Sequence, residues 1–193
     1  MTDEEIKRWR QETRARLVAA RLAIGAAKRR RWEATIEQHL QALFDTLPGP
    51  VLGLYWPFRA EFDPRPVAEI LRAEGWRLAL PAVVEKRGPL EYRRWQPGVE
   101  METGAFDLPA PKARDVVAPD VVLAPVVGFD AANYRLGYGG GYFDRTLTAL
   151  SPRPVAIGVG FALARLPTIF PRPDDVPMDA IVTEAGVQRR AAA

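Results

Sequence analysis

Val121-Val122-Leu123-Ala124-Pro125-Val126-Val127 is an unbroken apolar run, and shortly after it comes Arg135-Leu136-Gly137-Tyr138-Gly139-Gly140-Gly141-Tyr142-Phe143-Asp144. The apolar run reads as a buried strand of the kind found in parallel sheets. Arg145 to Leu150 reads as the start of a helix. Strand, glycine-rich turn and helix, in that order, are the local pattern of an α/β fold. The four glycines between 137 and 141 leave the backbone free for positive φ and for close approach by a ligand. Successive amide N–H groups in such a turn form an anion-binding concavity, and a helix N-terminus adds partial positive charge. Arg135 at the entrance and Asp144 at the exit suit a phosphate with its magnesium ion. The pattern is neither GxxxxGK[ST] nor GxGxxG, since Tyr142 stands where the last glycine would be. By pattern alone, a surface turn in which Tyr138, Tyr142 and Phe143 pack locally competes evenly with a phosphate site.

Composition narrows the chemistry. A chain of 193 residues, 48% hydrophobic and 26% charged, suits one soluble globular domain. No apolar run approaches the roughly 20 residues that span a bilayer, and the acidic-then-basic N-terminus has no signal-peptide core. The expectation is a cytoplasmic monomer without membrane contact. The absence of cysteine removes disulfides, thiolate catalysis and cysteine-held metals. His39, the only histidine, sits in a helical pattern, and Ser151, the only serine, precedes a proline, so a Ser-His-Asp hydrolase is not expected. Carboxylates, lysine, arginine, tyrosine, backbone amides or a metal must do the work. The net charge is +3, and Lys7, Arg8, Arg10, Arg14, Arg16, Arg21, Lys28, Arg29, Arg30 and Arg31 crowd the first quarter of the chain. Nucleic-acid binding, a polyanionic small ligand and a merely solvated helix face all remain open for these residues.

The rest of the chain alternates helix and strand. Glu4 to about Gly25 forms a helix with Trp9, Thr13, Leu17, Ala20 and Ile24 as its apolar stripe. A second helix spans Ala27 to Leu47, with Trp32, Ile36, Leu40 and Leu43 on one face, and Pro48-Gly49-Pro50 stops it. Val51 to Trp56 is a buried strand. A helix opens at Asp63-Pro64, with Asp63 as cap and proline at the first position. Arg77 to Pro81 is a parallel partner strand, and Leu90 to Trp95 an edge or antiparallel one. Gly98 to Pro119 reads as a long loop of the kind that often carries function. Val155 to Val159 and a last strand ending at Thr183 complete a core over residues 51–184. The N-terminal helices occupy residues 4–47, and residues 188–193 read as a frayed tail. Ligands in open α/β sheets bind at the carboxyl ends of strands, which places Tyr55, Trp56, Phe58 and Glu61 near any site.

The segment Asn133-Tyr134-Arg135-Leu136-Gly137-Tyr138-Gly139-Gly140-Gly141-Tyr142-Phe143-Asp144-Arg145 resembles the signature of the 5-formyltetrahydrofolate cyclo-ligase family, close to RLGxGxGYYDR. Phe143 stands where the family commonly has a second tyrosine. The resemblance extends from about Lys7 to Thr183. It implies a single-domain Rossmann-like three-layer α/β/α sandwich with a mostly parallel sheet. It also implies ATP- and magnesium-dependent closure of 5-formyltetrahydrofolate to 5,10-methenyltetrahydrofolate. For ATP it implies Lys7, Arg8, Arg10, Arg135, Leu136, Gly137, Tyr138, Gly139, Gly140, Gly141, Tyr142 and Phe143. For the folate it implies Tyr55, Glu61, Phe106, Tyr138, Gly139, Gly140, Gly141 and Tyr142. Asp144 and Asp175 would hold magnesium, and Lys7, Arg135 and Tyr142 would act in the chemistry. Asp174 replaces a family histidine, Ala110 a frequent glutamate, and Asp179 reads as structural. Phe106 either stacks on the ligand or anchors its loop. An ATP-binding paralogue with another metabolic role and a basic nucleic-acid module remain the alternatives.

Overall fold

The computed structural model describes residues 1–47 and 49–190, so Pro48, part of the expected helix stop, and the last alanines of the expected tail lie outside it. The chain runs α1 (Asp3–Leu22), α2 (Ala26–Phe44), β1 (Val51–Gly53), α3 (Arg65–Ala73), β2 (Arg77–Val83), β3 (Leu90–Trp95), β4 (Met101–Thr103) and β5 (Pro109–Pro111). It continues with β6 (Val121–Pro125), β7 (Gly128–Phe129), β8 (Arg135–Leu136), α4 (Tyr142–Ala149), β9 (Val155–Val159), β10 (Ala180–Thr183) and β11 (Gly186–Arg189).

A seven-stranded sheet in the order β11-β10-β9-β6-β1-β2-β3 forms the centre. Its inner strands, β10, β9, β6, β1 and β2, are parallel neighbours, while β3 and β11 close the edges antiparallel. Alternation along β6 shows how the layers arise. Val121 and Leu123 join Ile36, Leu40 and Leu43 of α2 and Val67 and Leu71 of α3 in one core. Val122 and Ala124 join Leu147 of α4 in the other. A strand buried on both faces needs apolar residues at successive positions, which is why this run lacked polar alternation. The result is the expected three-layer α/β/α sandwich. Each fully buried leucine, Leu52, Leu78 and Leu123 among them, contributes about 1.5–3 kcal/mol.

Several boundaries differ from the sequence expectations. β1 ends at Gly53 rather than Trp56, although the Leu54 N–H still reaches the Ala79 carbonyl at 2.8 Å. Beyond that point the chain must leave the sheet to form the site loop. β6 ends at Pro125 rather than Val127: the Val126 N–H still reaches the Val159 carbonyl at 3.0 Å, and the Val127 N–H turns to the Leu136 carbonyl at 2.9 Å. The cap of α3 is Pro64, one residue later than expected. Asp63 instead accepts from the Arg65 N–H at 3.0 Å and pairs with its guanidinium. The long loop is folded back on itself as the β4–β5 hairpin. Gln188 and Arg189 are not frayed: they belong to β11, and the Gln188 amide donates to the Asp130 carbonyl at 2.9 Å. His39 is tied to the Thr183 carbonyl at 2.9 Å, a packing role between α2 and β10.

α1 carries the most informative departure. Its start is a capping box, with the Thr2 hydroxyl accepting from the Glu5 N–H and Glu5 accepting from Thr2 N–H at 2.6 Å. The expected stripe holds at Thr13 and Leu17, which are buried, and at Trp9 and Ile24, which pack against the core, but Ala20 is exposed and two arginines share the buried face. The buried residues are Arg10, Thr13, Leu17 and Arg21. A helix can bury arginine only where acceptors await it, and this face of α1 covers the carboxyl ends of the strands.

Candidate active site

A cleft of about 980 Å³ opens at those strand ends. Lys7, Arg10, Tyr55, Glu61, Phe106, Arg135, Leu136, Asp144, Asp175 and the whole run from Gly137 to Phe143 line it. Arg8 does not: it lies on the exposed side of α1. Residues not singled out as contacts also line the cleft, among them Arg14, Arg59, Arg93, Glu102 and Arg172. The signal for Arg14 was available, since it lies one helical turn beyond Arg10. Arg93, Glu102 and Arg172 carried no local signal, because tertiary contact alone brings β3, β4 and residue 172 to this cleft.

Arginine side chains fasten the glycine loop by its acceptors. Arg14 Nε donates to the Gly137 carbonyl at 2.7 Å, and Arg145 Nη2 to the Gly140 carbonyl at 2.6 Å. Arg21 Nη2 donates to the Tyr138 hydroxyl at 2.6 Å. Among the described residues, the N–H groups of Gly139, Gly140 and Gly141 meet no protein acceptor. Gly139 and Gly141 have φ values of 92° and 66°, which only glycine adopts freely. Gly141 caps α4, which starts at Tyr142 rather than Arg145. With the Gly137 and Gly140 carbonyls occupied and three amides free at a helix N-terminus, the loop has the chemistry to accept an anion.

Cations face that loop. Burial, reinforced by Arg10 and Arg172, pushes the Arg14 guanidinium below its usual value, against an opposing pull from Asp175. Arg10 donates to the Ile169 and Phe170 carbonyls at 3.1 and 3.0 Å and pairs with Asp175. Arg135 pairs with Asp144 at 3.1 Å, and the other Asp144 oxygen accepts the Val176 N–H at 3.2 Å. The Nε of Arg135 is buried without a partner.

Asp144 and the segment carrying Asp175 are thus held together by the Asp144–Val176 bond. No cluster of three or more His, Cys, Asp or Glu side chains suited to a metal occurs among the described residues. Two carboxylates alone would not complete a magnesium shell, so a metal held there would need further oxygen ligands from outside the chain. Asp179 lies elsewhere, accepting the Ala156 N–H at 2.8 Å and pairing with Arg153, a structural role.

The part of the cleft beside Tyr138 and Tyr142 of the glycine loop is acidic and aromatic. Glu61 Oε2 accepts the Phe58 N–H at 2.8 Å, whereas its Oε1 is buried without a hydrogen-bond partner, 4.0 Å from Arg21. Burial outweighs the Phe58 N–H, Arg21 and Tyr138, and the Glu61 carboxyl is pushed up to about 7. Burial likewise raises the Tyr55 hydroxyl, which donates to the Phe62 carbonyl at 2.8 Å, and lifts Tyr138 to about 12. Phe58 meets Tyr138 edge-on with ring centres 5.9 Å apart, and Phe106 meets Tyr142 at 5.8 Å. Phe106 is 64% exposed, so it does not anchor the β4–β5 hairpin in the core. Its ring lies against the glycine loop.

The fold is thus an α/β sandwich with a glycine-rich loop, a cluster of arginines, buried Glu61 and several aromatic rings gathered in one cleft at the strand ends. The sequence profile of the 5-formyltetrahydrofolate cyclo-ligase family matches residues 6–184, and the chain belongs to that family. It is therefore an enzyme, of a family that acts on a small folate. The chain is 32% identical over 146 residues to a 5-formyltetrahydrofolate cyclo-ligase of Escherichia coli, covering 70% of this chain and 79% of that protein. It is 25% identical over 176 residues to one of Haemophilus influenzae, covering 88% and 94%. In structure it resembles the 5,10-methenyltetrahydrofolate synthetase of Aquifex aeolicus, with a TM-score of 0.82 and 26% identity over 95% of this chain and 94% of that one. A Mycoplasma pneumoniae synthetase shares the fold, with a TM-score of 0.74, 23% identity and coverage of 91% and 98%.

Proposed function

We propose that the protein closes 5-formyltetrahydrofolate to 5,10-methenyltetrahydrofolate with ATP, releasing ADP and phosphate. The observation that carries this reading is the joining, in one cleft, of amides free for phosphate at 139–141 and a buried carboxyl, Glu61, at the aromatic end. The amide-like formyl oxygen is a poor leaving group. Transfer of the γ-phosphoryl group to it breaks the bond to ADP and makes it a good one. The second folate nitrogen then attacks the formyl carbon and gives up its proton, the ring closes, and phosphate leaves with the oxygen. No enzyme nucleophile is needed, which suits a chain without cysteine. Catalysis becomes positioning and charge neutralisation.

Lys7, Arg10, Arg14 and Arg135 would neutralise phosphate charge, and the amides of Gly139 to Gly141 would orient the transferred group. Asp144 and Asp175 would hold magnesium, whose contribution is to offset charge on the phosphates. Tyr55, Glu61, Tyr138 and Phe106 would seat the folate, with Tyr142 between the two ligands. The nucleic-acid alternative is weakened, since Arg10, Arg14, Arg21 and Arg29 are turned onto carbonyls and carboxylates of the chain itself. No helix among the described residues is long and apolar enough to cross a membrane, and a cytoplasmic monomer is part of the proposal. The test is to mix the protein with Mg-ATP and 5-formyltetrahydrofolate and follow the near-ultraviolet absorbance of the methenyl product. Growth of that band only with ATP present is expected. Protein that consumes no ATP when offered the formylated folate would refute the reading.

A further inference from the structure

Arg21 is buried, 5% exposed, yet it does not line the cleft. What it touches does. Its Nη2 donates to the Tyr138 hydroxyl at 2.6 Å, its Nε to the Arg59 carbonyl at 3.0 Å, and its guanidinium stands 4.0 Å from Glu61 Oε1. The loop it holds is strained. Arg59 and Ala60 are consecutive non-glycine residues with φ values of 47° and 58°, in the left-handed region where a Cβ is strained. A conformation of that kind persists only where surrounding contacts over-determine it. Arg21 takes the Arg59 carbonyl, and Arg29 takes the Ala60 carbonyl at 2.8 Å and the Arg21 carbonyl at 2.6 Å. The bend so held turns Glu61 inwards, where Oε2 receives the Phe58 N–H and Oε1 is left without a donor. A buried carboxylate oxygen without a donor is costly and finds its partner in a ligand.

We propose that Arg21 is a positioning residue for the folate end of the cleft, holding the Glu61 loop and Tyr138 of the glycine loop in one register. The inference rests on the folate reading given above. It makes α1 a double element: Arg10 and Arg14 serve the anion end, and Arg21, two and three turns further on, sets the spacing between the ligands. A purely structural arginine would loosen the glycine loop as a whole and weaken both substrates. A positioning arginine acting through Tyr138 and Glu61 weakens one.

The test compares Arg21→Gln, Arg21→Lys, Tyr138→Phe, Arg21→Gln/Tyr138→Phe and Glu61→Gln in the full chain, with KM measured separately for 5-formyltetrahydrofolate and ATP. Arg21→Gln is expected to raise the folate KM about tenfold or more, the scale of a hydrogen bond from a charged group, with the ATP KM within about twofold of wild type. Arg21→Lys keeps the charge and cannot make both bonds, so it should fold and show a smaller rise of the same kind. It carries the test if Arg21→Gln does not fold. Because Arg21 acts through the Tyr138 hydroxyl, the double variant should fall short of the product of the single effects. Folate and ATP KM rising together, fully multiplicative effects, or a wild-type folate KM in folded Arg21→Gln or Arg21→Lys would each overturn the inference. If Glu61→Gln itself leaves the folate KM unchanged, the folate reading falls and takes the inference with it. If Glu61→Gln raises it and Arg21→Gln does not, the inference alone falls.

Discussion

Glu61 is a carboxyl group for which burial wins over an adjacent cation. Its value of about 7, against an ordinary 4.5, fixes the sign of a pH effect. Below the ordinary value, folded and unfolded chains both carry the proton. As pH rises from there, the unfolded chain releases it first and the folded chain keeps it. Stability therefore falls between about 4.5 and 7 and levels off above, by something on the order of 3 kcal/mol. Glu61→Gln should remove that slope, which urea unfolding at a series of pH values reads directly. Asp144 makes a second case. It pairs with buried Arg135 and accepts the Val176 N–H, so truncation to alanine would also disturb the fold. Asp144→Asn keeps the shape and removes the charge. Turnover should drop by two orders of magnitude or more, about 3 kcal/mol of transition-state stabilisation, while the circular dichroism spectrum stays that of wild type. Near-normal turnover would remove Asp144 from the magnesium role.

Among the elements, the glycine loop and the β4–β5 hairpin invite opposite predictions. Gly141 has a φ of 66°, and a Cβ there would stand 2.7 Å from Arg145 Nη1. Gly141→Ala should cost about 1–2 kcal/mol from left-handed backbone alone and push Arg145 off the Gly140 carbonyl. A lower denaturation midpoint together with a raised ATP KM is expected. Phe106, on the hairpin, is exposed and touches Tyr142 edge-on. Phe106→Ala should leave stability within about 0.5 kcal/mol, as exposed substitutions do, and raise the folate KM several-fold. Loss of stability without a change in KM would return Phe106 to an anchoring role. Neither the hairpin nor its contact with the loop was visible in the Pro-, Gly- and Ala-rich stretch 98–119, because three-residue strands leave no periodic signal.

Across the whole molecule, the cleft joins segments far apart in the chain. Arg10 reaches Asp175, 165 positions away, and Arg14 reaches Gly137. Ligands that bridge such segments should stabilise the fold as a unit. Mg-ATP at a hundred times its dissociation constant adds about 2.7 kcal/mol, which for a chain of this size is a rise in Tm of roughly 5–10 °C. Thermal unfolding with ATP, with magnesium, and with both separates their contributions, and the pair should exceed ATP alone. No shift with any of them would argue against nucleotide binding in this cleft.

The apolar run 121–127, the glycines after it and the helix–strand alternation determined the layered α/β fold and pointed to an anion loop, because those features are written in neighbouring residues. Which arginines enter the site was decided only by the tertiary structure. Arg10, Arg14 and Arg21 look alike in sequence to the exposed Arg8 and Arg16. What separates them is which side of α1 meets distant carbonyls and carboxylates, and those acceptors exist only once the strand ends have come together beneath the helix.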